Sequence, residues 1–250
     1  MSNFVHLNNS TKMKKVLVAA AFAALFLAQG AKAQTNFQTF YDFGRKHFTT
    51  TLEGFHQDDW GNTFFFIDYD YNNRNLDDKV ISPSGTYFEI ARCLNFWQDS
   101  ALAPFSLQYE YNGGLASSGV APVGASFAVN SAFLFGIDYF LHSSDFNNTL
   151  NLKVLYKQFI GMDSKLPMQF TAVWGCQDLF GVPRLRFSGF ADVWWENDIV
   201  FLSEPQLWFG IGDHASIGGE VEFSYNFGGL KFTTGKDFNI MPCLGWKWVF

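Results

Sequence analysis

The stretch from Phe238 to Phe250 most constrains what this chain can fold into. Phe238, Ile240, Leu244, Trp246, Trp248 and Phe250 alternate with Asn239, Met241, Cys243, Gly245 and Lys247, and the sequence stops on the aromatic ring with no polar tail. Successive side chains of a strand point to opposite faces, so this segment has one bulky apolar wall and one small or polar wall. The same two-residue period recurs upstream. Phe105, Leu107, Tyr109 and Tyr111 oppose Ser106, Gln108, Glu110 and Asn112. Phe127, Val129, Phe133, Phe135, Ile137 and Tyr139 oppose Asn130, Asp138 and small residues, and Ile217, Val221, Phe223 and Tyr225 oppose Ser216, Glu220, Glu222, Ser224 and Asn226. In a water-soluble protein such a terminal strand would be an aggregation hazard.

Between these segments lie clusters of Gly, Asp, Asn and Pro, and helical periodicity is close to absent. The pattern predicts about 12 strands, at 37–51, 62–70, 84–94, 105–112, 126–140, 149–160, 168–176, 184–195, 199–209, 215–226, 230–235 and 239–250. Glu89 and Arg92 fall on opposite faces of the third segment, which suggests a bulge there. A hydrocarbon environment requires every backbone N–H and C=O to be paired internally, so strands that face lipid must close on themselves. The fold class read from the sequence is all-β: a transmembrane antiparallel β-barrel with lipid outside and a polar lumen.

The N-terminal segment fits that destination. Lys14 and Lys15 precede an apolar run from Val16 to Leu27, and Ala31-Lys32-Ala33 offers a small-residue cleavage site. These are the parts of a secretory signal peptide, with residues 1–12 as a possible upstream extension. The run is shorter than the roughly 20 residues of a spanning helix. The expected domain plan is therefore a leader over 1–33 and one barrel over 34–250. Removing the leader takes away four of the 17 basic residues and no acid, leaving 13 against 23 and a charge of −10. That excess disfavours binding of nucleic acid polymers. The 31 Phe and 8 Trp would be hard to hide in a soluble fold but suit a lipid belt with interfacial girdles.

Parity places Asp68, Asp70, Glu89, Glu110, Asp138, Lys153, Lys157, Arg186, Asp192, Glu204, Glu220, Glu222 and Lys247 on the lumen wall. The rings of Phe64, Phe66, Tyr87, Phe190, Trp194 and Trp208 share it. Such inward charges also serve simply to fill a barrel with neutral networks. Aromatic and acidic side chains alternating down one wall suit a ligand with a flat face and several hydroxyls. No catalytic group, metal ligand set or cofactor motif stands out. His142-Ser143-Ser144 lies in a loop without a nucleophile context, and Asp58-Asp59 and Asp77-Asp78 read as solvated turn caps ahead of loose Ca²⁺ sites. Cys93, Cys176 and Cys243 are odd in number and read as small apolar wall residues.

The run Trp60-Gly61-Asn62-Thr63-Phe64-Phe65-Phe66-Ile67-Asp68-Tyr69-Asp70 resembles the second-strand signature of the nucleoside-specific channel-forming (Tsx-like) porins. Tyr41–Gly44, Glu89–Arg92, Glu110–Gly114, Phe187–Asp192, Phe201–Gln206 and the Leu244–Phe250 ending resemble further family segments in order, closest to a little-characterised branch. The resemblance implies a monomeric 12-stranded barrel in the Gram-negative outer membrane. It would pass nucleosides or similar small polar solutes, and the barrel-assembly machinery would recognise it through Phe250. Carried over by motif, the substrate-lining residues are Phe64, Phe66, Asp68 and Asp70, with Glu110, Asp192 and Glu204. Parity adds Lys153, Arg186, Glu220 and Glu222 as pore-lining residues. The competing readings are a non-conducting structural or receptor barrel and, third, a lipid-modifying barrel enzyme.

Overall fold

A computed structural model describes residues 33–120 and 123–250; the leader and its upstream extension lie outside the described residues, apart from Ala33. The strands are β1 (Ala33–Asp42), β2 (His47–Asp58), β3 (Gly61–Tyr71), the short pair β4 (Asn73–Arg74) and β5 (Val80–Ser82), then β6 (Gly85–Leu94). They continue as β7 (Phe105–Val120), β8 (Val123–His142), β9 (Asn148–Phe159), β10 (Met168–Cys176) and β11 (Leu185–Trp195). The last are β12 (Ile199–Ser203), β13 (Gln206–Gly210), β14 (Ala215–Tyr225) and β15 (Phe238–Val249). Apart from the β4–β5 hairpin, each strand pairs antiparallel with its neighbours in one sheet, and that sheet returns on itself through β1–β15, from Asn36↔Val249 to Asp42↔Cys243. Because β12 and β13 make a single stave, the ring is a closed twelve-stranded antiparallel barrel. No described helix is long and apolar enough to cross a membrane.

The period-two pattern survives in the exposure of the side chains. Along β15, Phe238, Ile240, Leu244, Trp246 and Trp248 are exposed, while Asn239 and Met241 are buried and Cys243, Gly245 and Lys247 half-buried. Phe135, Ile137, Leu107, Tyr109, Leu152, Val154 and Ile217 are likewise exposed around the outside. A predominantly apolar exterior is compatible with a hydrocarbon surround, where these groups cost nothing to expose. Trp60 and Phe96 meet edge to face at 5.7 Å at the end that carries both strand termini, in keeping with an interfacial aromatic girdle.

Three sequence expectations need correcting. The segment 37–51 is two strands, because Asp42 turns the chain: its Oδ1 accepts from the Gly44 and Arg45 N–H groups, and Lys46 takes a positive φ of 58°. The segment 230–235 is no strand; Leu230–Thr234 is a single five-residue helical turn capped by Gly229 and Gly235, both at positive φ. One strand gained and one lost leave the total unchanged. The irregularity is also elsewhere. Strand β6 runs in unbroken register against both β3 and β7, whereas the β7–β8 ladder shifts between Asn112↔Ala132 and Gly114↔Val129. That shift puts Phe127 and Val129 on the same face as Gly114, which Tyr87 opposes, so they leave the outward face that Phe133 occupies. Arg92 does point away from Glu89, but to an end of the barrel, where it bonds Asp58 at 2.8 Å and Thr63 at 3.1 Å.

The stave made of β12 and β13 is broken by Glu204-Pro205 without loss of register: Ala191↔Ser203 and Ser188↔Gln206 lie on one ladder. Proline lacks a ladder N–H, and its facing residue is Gly189 at φ +154°, where an added Cβ would lie 2.5 Å from the Glu204 carbonyl oxygen. Glycine is needed there both for its backbone conformation and for the close approach. Gly189→Ala should therefore lower stability by about 1–3 kcal/mol, read from the urea midpoint of the refolded barrel; an unchanged midpoint would show that the break is elastic.

Candidate functional site

The lumen wall is built by the inward face of every stave. On β3, Phe64 and Phe66 stand 6.0 Å apart between ring centroids, and Phe66 continues to Tyr87 of β6 at 5.8 Å, forming a tilted aromatic ladder across two strands. Further along the same face of β3 are Asp68 and Asp70. Their partners come from β2: the Thr51 hydroxyl donates to Asp68 at 2.5 Å and the Thr49 hydroxyl to Asp70 at 2.7 Å, with His47 Nε2 3.3 Å from Asp70. The register dictates these pairs, since Thr51↔Asp68 and Thr49↔Asp70 are directly opposite. All four sequence-derived residues of this strand are half-buried and face the lumen together.

The other expected residues also face inward. Glu110 on β7 is buried and accepts from Gln108 at 2.7 Å and Asn112 at 3.2 Å. Asp192 on β11 accepts from Thr171 at 2.5 Å, and Glu220 on β14 accepts from Gln206 at 2.8 Å. Glu204 occupies the break before Pro205 and comes within Coulombic range of Glu220, Glu222 and Asp68. Lys153 on β9 lies in the field of Asp138, Glu110 and Glu89. Arg186 bonds the Gln177 carbonyl oxygen at 3.0 and 3.1 Å once that amide is oriented to satisfy both groups. Glu222 is buried, and Arg45 reaches it from the β1–β2 turn while holding Asp42 at 2.6 Å. One guanidinium thus ties β1 to β14.

Residues that parity did not single out complete the wall. Arg45 and His47 were hidden inside what reads as one long strand. Gln38 and Asn36 continue the inward face of β1: Gln38 donates to Asn36 at 2.8 Å and Asn36 to Glu53 at 2.8 Å. The alternation Asn36, Gln38, Phe40, Asp42 was the available signal. One sector of the lumen is apolar. Ala132, Leu134, Leu155, Phe159, Trp194 and Val200 form a buried cluster, so the interior is not polar throughout. Lys157 roofs this cluster, 4.3 Å from the Trp194 ring and 2.7 Å from Gln169 Oε1, and Lys247 lies 4.4 Å over Trp208.

The lumen carboxylates are Asp42, Glu53, Asp68, Asp70, Glu89, Glu110, Asp138, Asp192, Glu204, Glu220 and Glu222, and its Lys and Arg side chains are Arg45, Lys153, Lys157, Arg186 and Lys247. Eleven against five is a formal excess of six acids. Among the described residues only Asp42, Asp70 and Glu222 of these acids have a basic side chain within 4.0 Å. Glu53, Asp68, Glu110, Asp138, Asp192 and Glu220 are held by neutral donors, whereas the Glu89 and Glu204 carboxylates accept from no side chain or backbone N–H among the described residues.

The loop histidines have other work. His142 stacks on Phe146 at 4.0 Å, with its Nδ1 2.8 Å from the Ser143 carbonyl oxygen. The Ser143 hydroxyl donates instead to Asp145 at 2.5 Å and, with the Asn147 N–H, holds that carboxyl below its ordinary range. His214 stacks on Trp248 at 5.4 Å. Asp58 caps the Trp60 N–H and pairs with Arg92, and Asp78 pairs with Arg74. No group of three or more potential metal ligands is found among the described residues. Cys93, Cys176 and Cys243 are free thiols; Cys93 is buried and bonds Gln108 and Asp138.

A closed antiparallel cylinder with an apolar exterior and a charged, ring-bearing interior defines the class as a barrel of outer-membrane type. The chain belongs to the family described as Domain of unknown function (DUF5020), which matches residues 33–250. No curated protein matches it in sequence. Among solved structures it is similar to outer membrane phospholipase A from Escherichia coli, with 12% identity over 86% of this chain and 92% of that one and a TM-score of 0.50. It is also similar to the KdgM porin, with 8% identity, 87% and 99% coverage and a TM-score of 0.48, and to Omp33 of Acinetobacter baumannii, with 11%, 87% and 97%, and 0.38. At such identities the likeness concerns the fold.

Proposed function

We propose that this protein is an outer-membrane channel for passive, selective diffusion of nucleosides or similar small polar solutes. The observation that carries this reading is the Phe64–Phe66–Tyr87 ladder lying half-buried on the lumen wall beside Asp68 and Asp70. A base stacks on such rings at about 1–3 kcal/mol each, while carboxylates accept from ribose hydroxyls. Loose binding at several places in series permits both entry and release. A monomeric barrel delivered by a cleaved leader and assembled through its Phe250 end completes the proposal.

The non-conducting alternative has its own observation: the apolar cluster around Leu134 and Leu155, both fully buried, occupies part of the interior. Planar-bilayer recording separates the two. The channel reading expects small conductance steps that adenosine or thymidine reduces. Steps indifferent to both would leave a general pore, and a silent, folded barrel would establish the alternative.

A further inference from the structure

We infer that the lumen selects for cations, and that small solutes joining a flat ring to a positively charged amine are the class it passes best. This rests on the channel reading above and names its preferred solute. Three independent features converge on it. The first is the charge imbalance of the wall. Asp68, Glu89, Asp192, Glu204 and Glu220 are half-buried, and none has a basic side chain within 4.0 Å among the described residues. In their ionised form these carboxylates give the lumen a negative potential that attracts mobile cations. Inward acidic side chains are the usual means by which a pore admits cations.

The second is a vacant acceptor. Gln38 is 1% exposed, and its Oε1 has no hydrogen-bond donor. Its neighbours across the ladder are Lys247 on one side and Thr51 on the other, and Thr51 in turn donates to Asp68. Lys247 does not serve it, because its ammonium lies over Trp208. A buried amide oxygen of this kind is completed by an ordered water or a small bound cation.

The third is the rings. The lumen already places two ammonium groups against aromatic faces, Lys157 on Trp194 and Lys247 on Trp208. The Phe64–Phe66–Tyr87 ladder offers faces of the same kind, and among the described residues no Lys or Arg lies over them. Ring faces attract ammonium groups, and here they stand beside Asp68. An amine-bearing aromatic solute satisfies ring and carboxylate together; a carboxylate-bearing one meets repulsion.

Two measurements on the refolded full barrel test this. Reversal potentials in a KCl gradient across a planar bilayer should show potassium favoured over chloride by about five-fold or more. Asp68→Asn combined with Glu204→Gln and Glu220→Gln, checked for strand content by circular dichroism, should move the ratio towards one. Liposome uptake should then run benzylammonium, benzyl alcohol, benzoate in falling order, since the three differ in charge at near-constant size. A conducting barrel with no charge preference, or one favouring chloride or benzoate, overturns this inference and leaves the channel standing. A folded barrel that conducts nothing overturns the channel reading, and this inference with it.

Discussion

Arg45→Ala should lower the stability of the barrel by about 3 kcal/mol, because truncating one partner of a buried ion pair leaves the others charged and uncompensated. Asp42 and Glu222 are both buried, and Arg45 is their shared partner across a sequence separation of 177 residues to Glu222. The loss should appear as a lower urea midpoint in detergent or lipid. Adding Glu222→Gln to Arg45→Ala should recover part of it, since one stranded charge is then removed. A single variant as stable as the parent would mean that water reaches both carboxylates freely and that the bridge is incidental.

Phe66→Ala should weaken block of conductance by nucleosides about ten-fold, while Phe65→Ala should leave it nearly unchanged. Loss of one stacking face is worth about 1–3 kcal/mol, and only Phe66 offers its ring to the lumen, between Phe64 and Tyr87. Phe65 lies on the other face of β3, where its ring covers Gly54 so closely that an added Cβ would collide with it. Equal effects of the two substitutions would show that block does not involve the ladder.

Facing was legible in the sequence wherever a strand keeps strict parity. In β3 and β15 the two-residue period alone places Phe64, Phe66, Asp68 and Lys247 on the inside. What parity could not supply is lateral. The partners Thr51 and Asp68, or Arg45 and Glu222, meet through register and through a turn, and neither is written in the local pattern. The turn at Asp42 escaped because Phe43-Gly44-Arg45-Lys46 lacks Pro and Asn, and its signal is an aspartate that caps the following amides. The short helix at Leu230 escaped because six residues are too few to separate a period of two from one of 3.6. The β7–β8 shift, where three steps of β8 (Val129 to Ala132) face two of β7 (Asn112 to Gly114), left a trace on the opposing strand in the pair Gly113-Gly114, whereas Arg92 misled because a long side chain at the end of a barrel can sit on the outer face and still reach a carboxylate.

The seam between β1 and β15 joins Asn36 to Val249. No segment of intermediate length can satisfy that ladder, so neither terminal strand finds its second neighbour until the other is present. Every other pair of adjacent staves is local, and the cylinder therefore has a single long-range zip that costs the most chain entropy and comes last. Until it shuts, two unpaired edges are exposed, and the half-made sheet is at its most prone to join a stranger. The alternating aromatics of β15 are thus both the closing stave and the stretch with the greatest need of an escort on the way to the membrane.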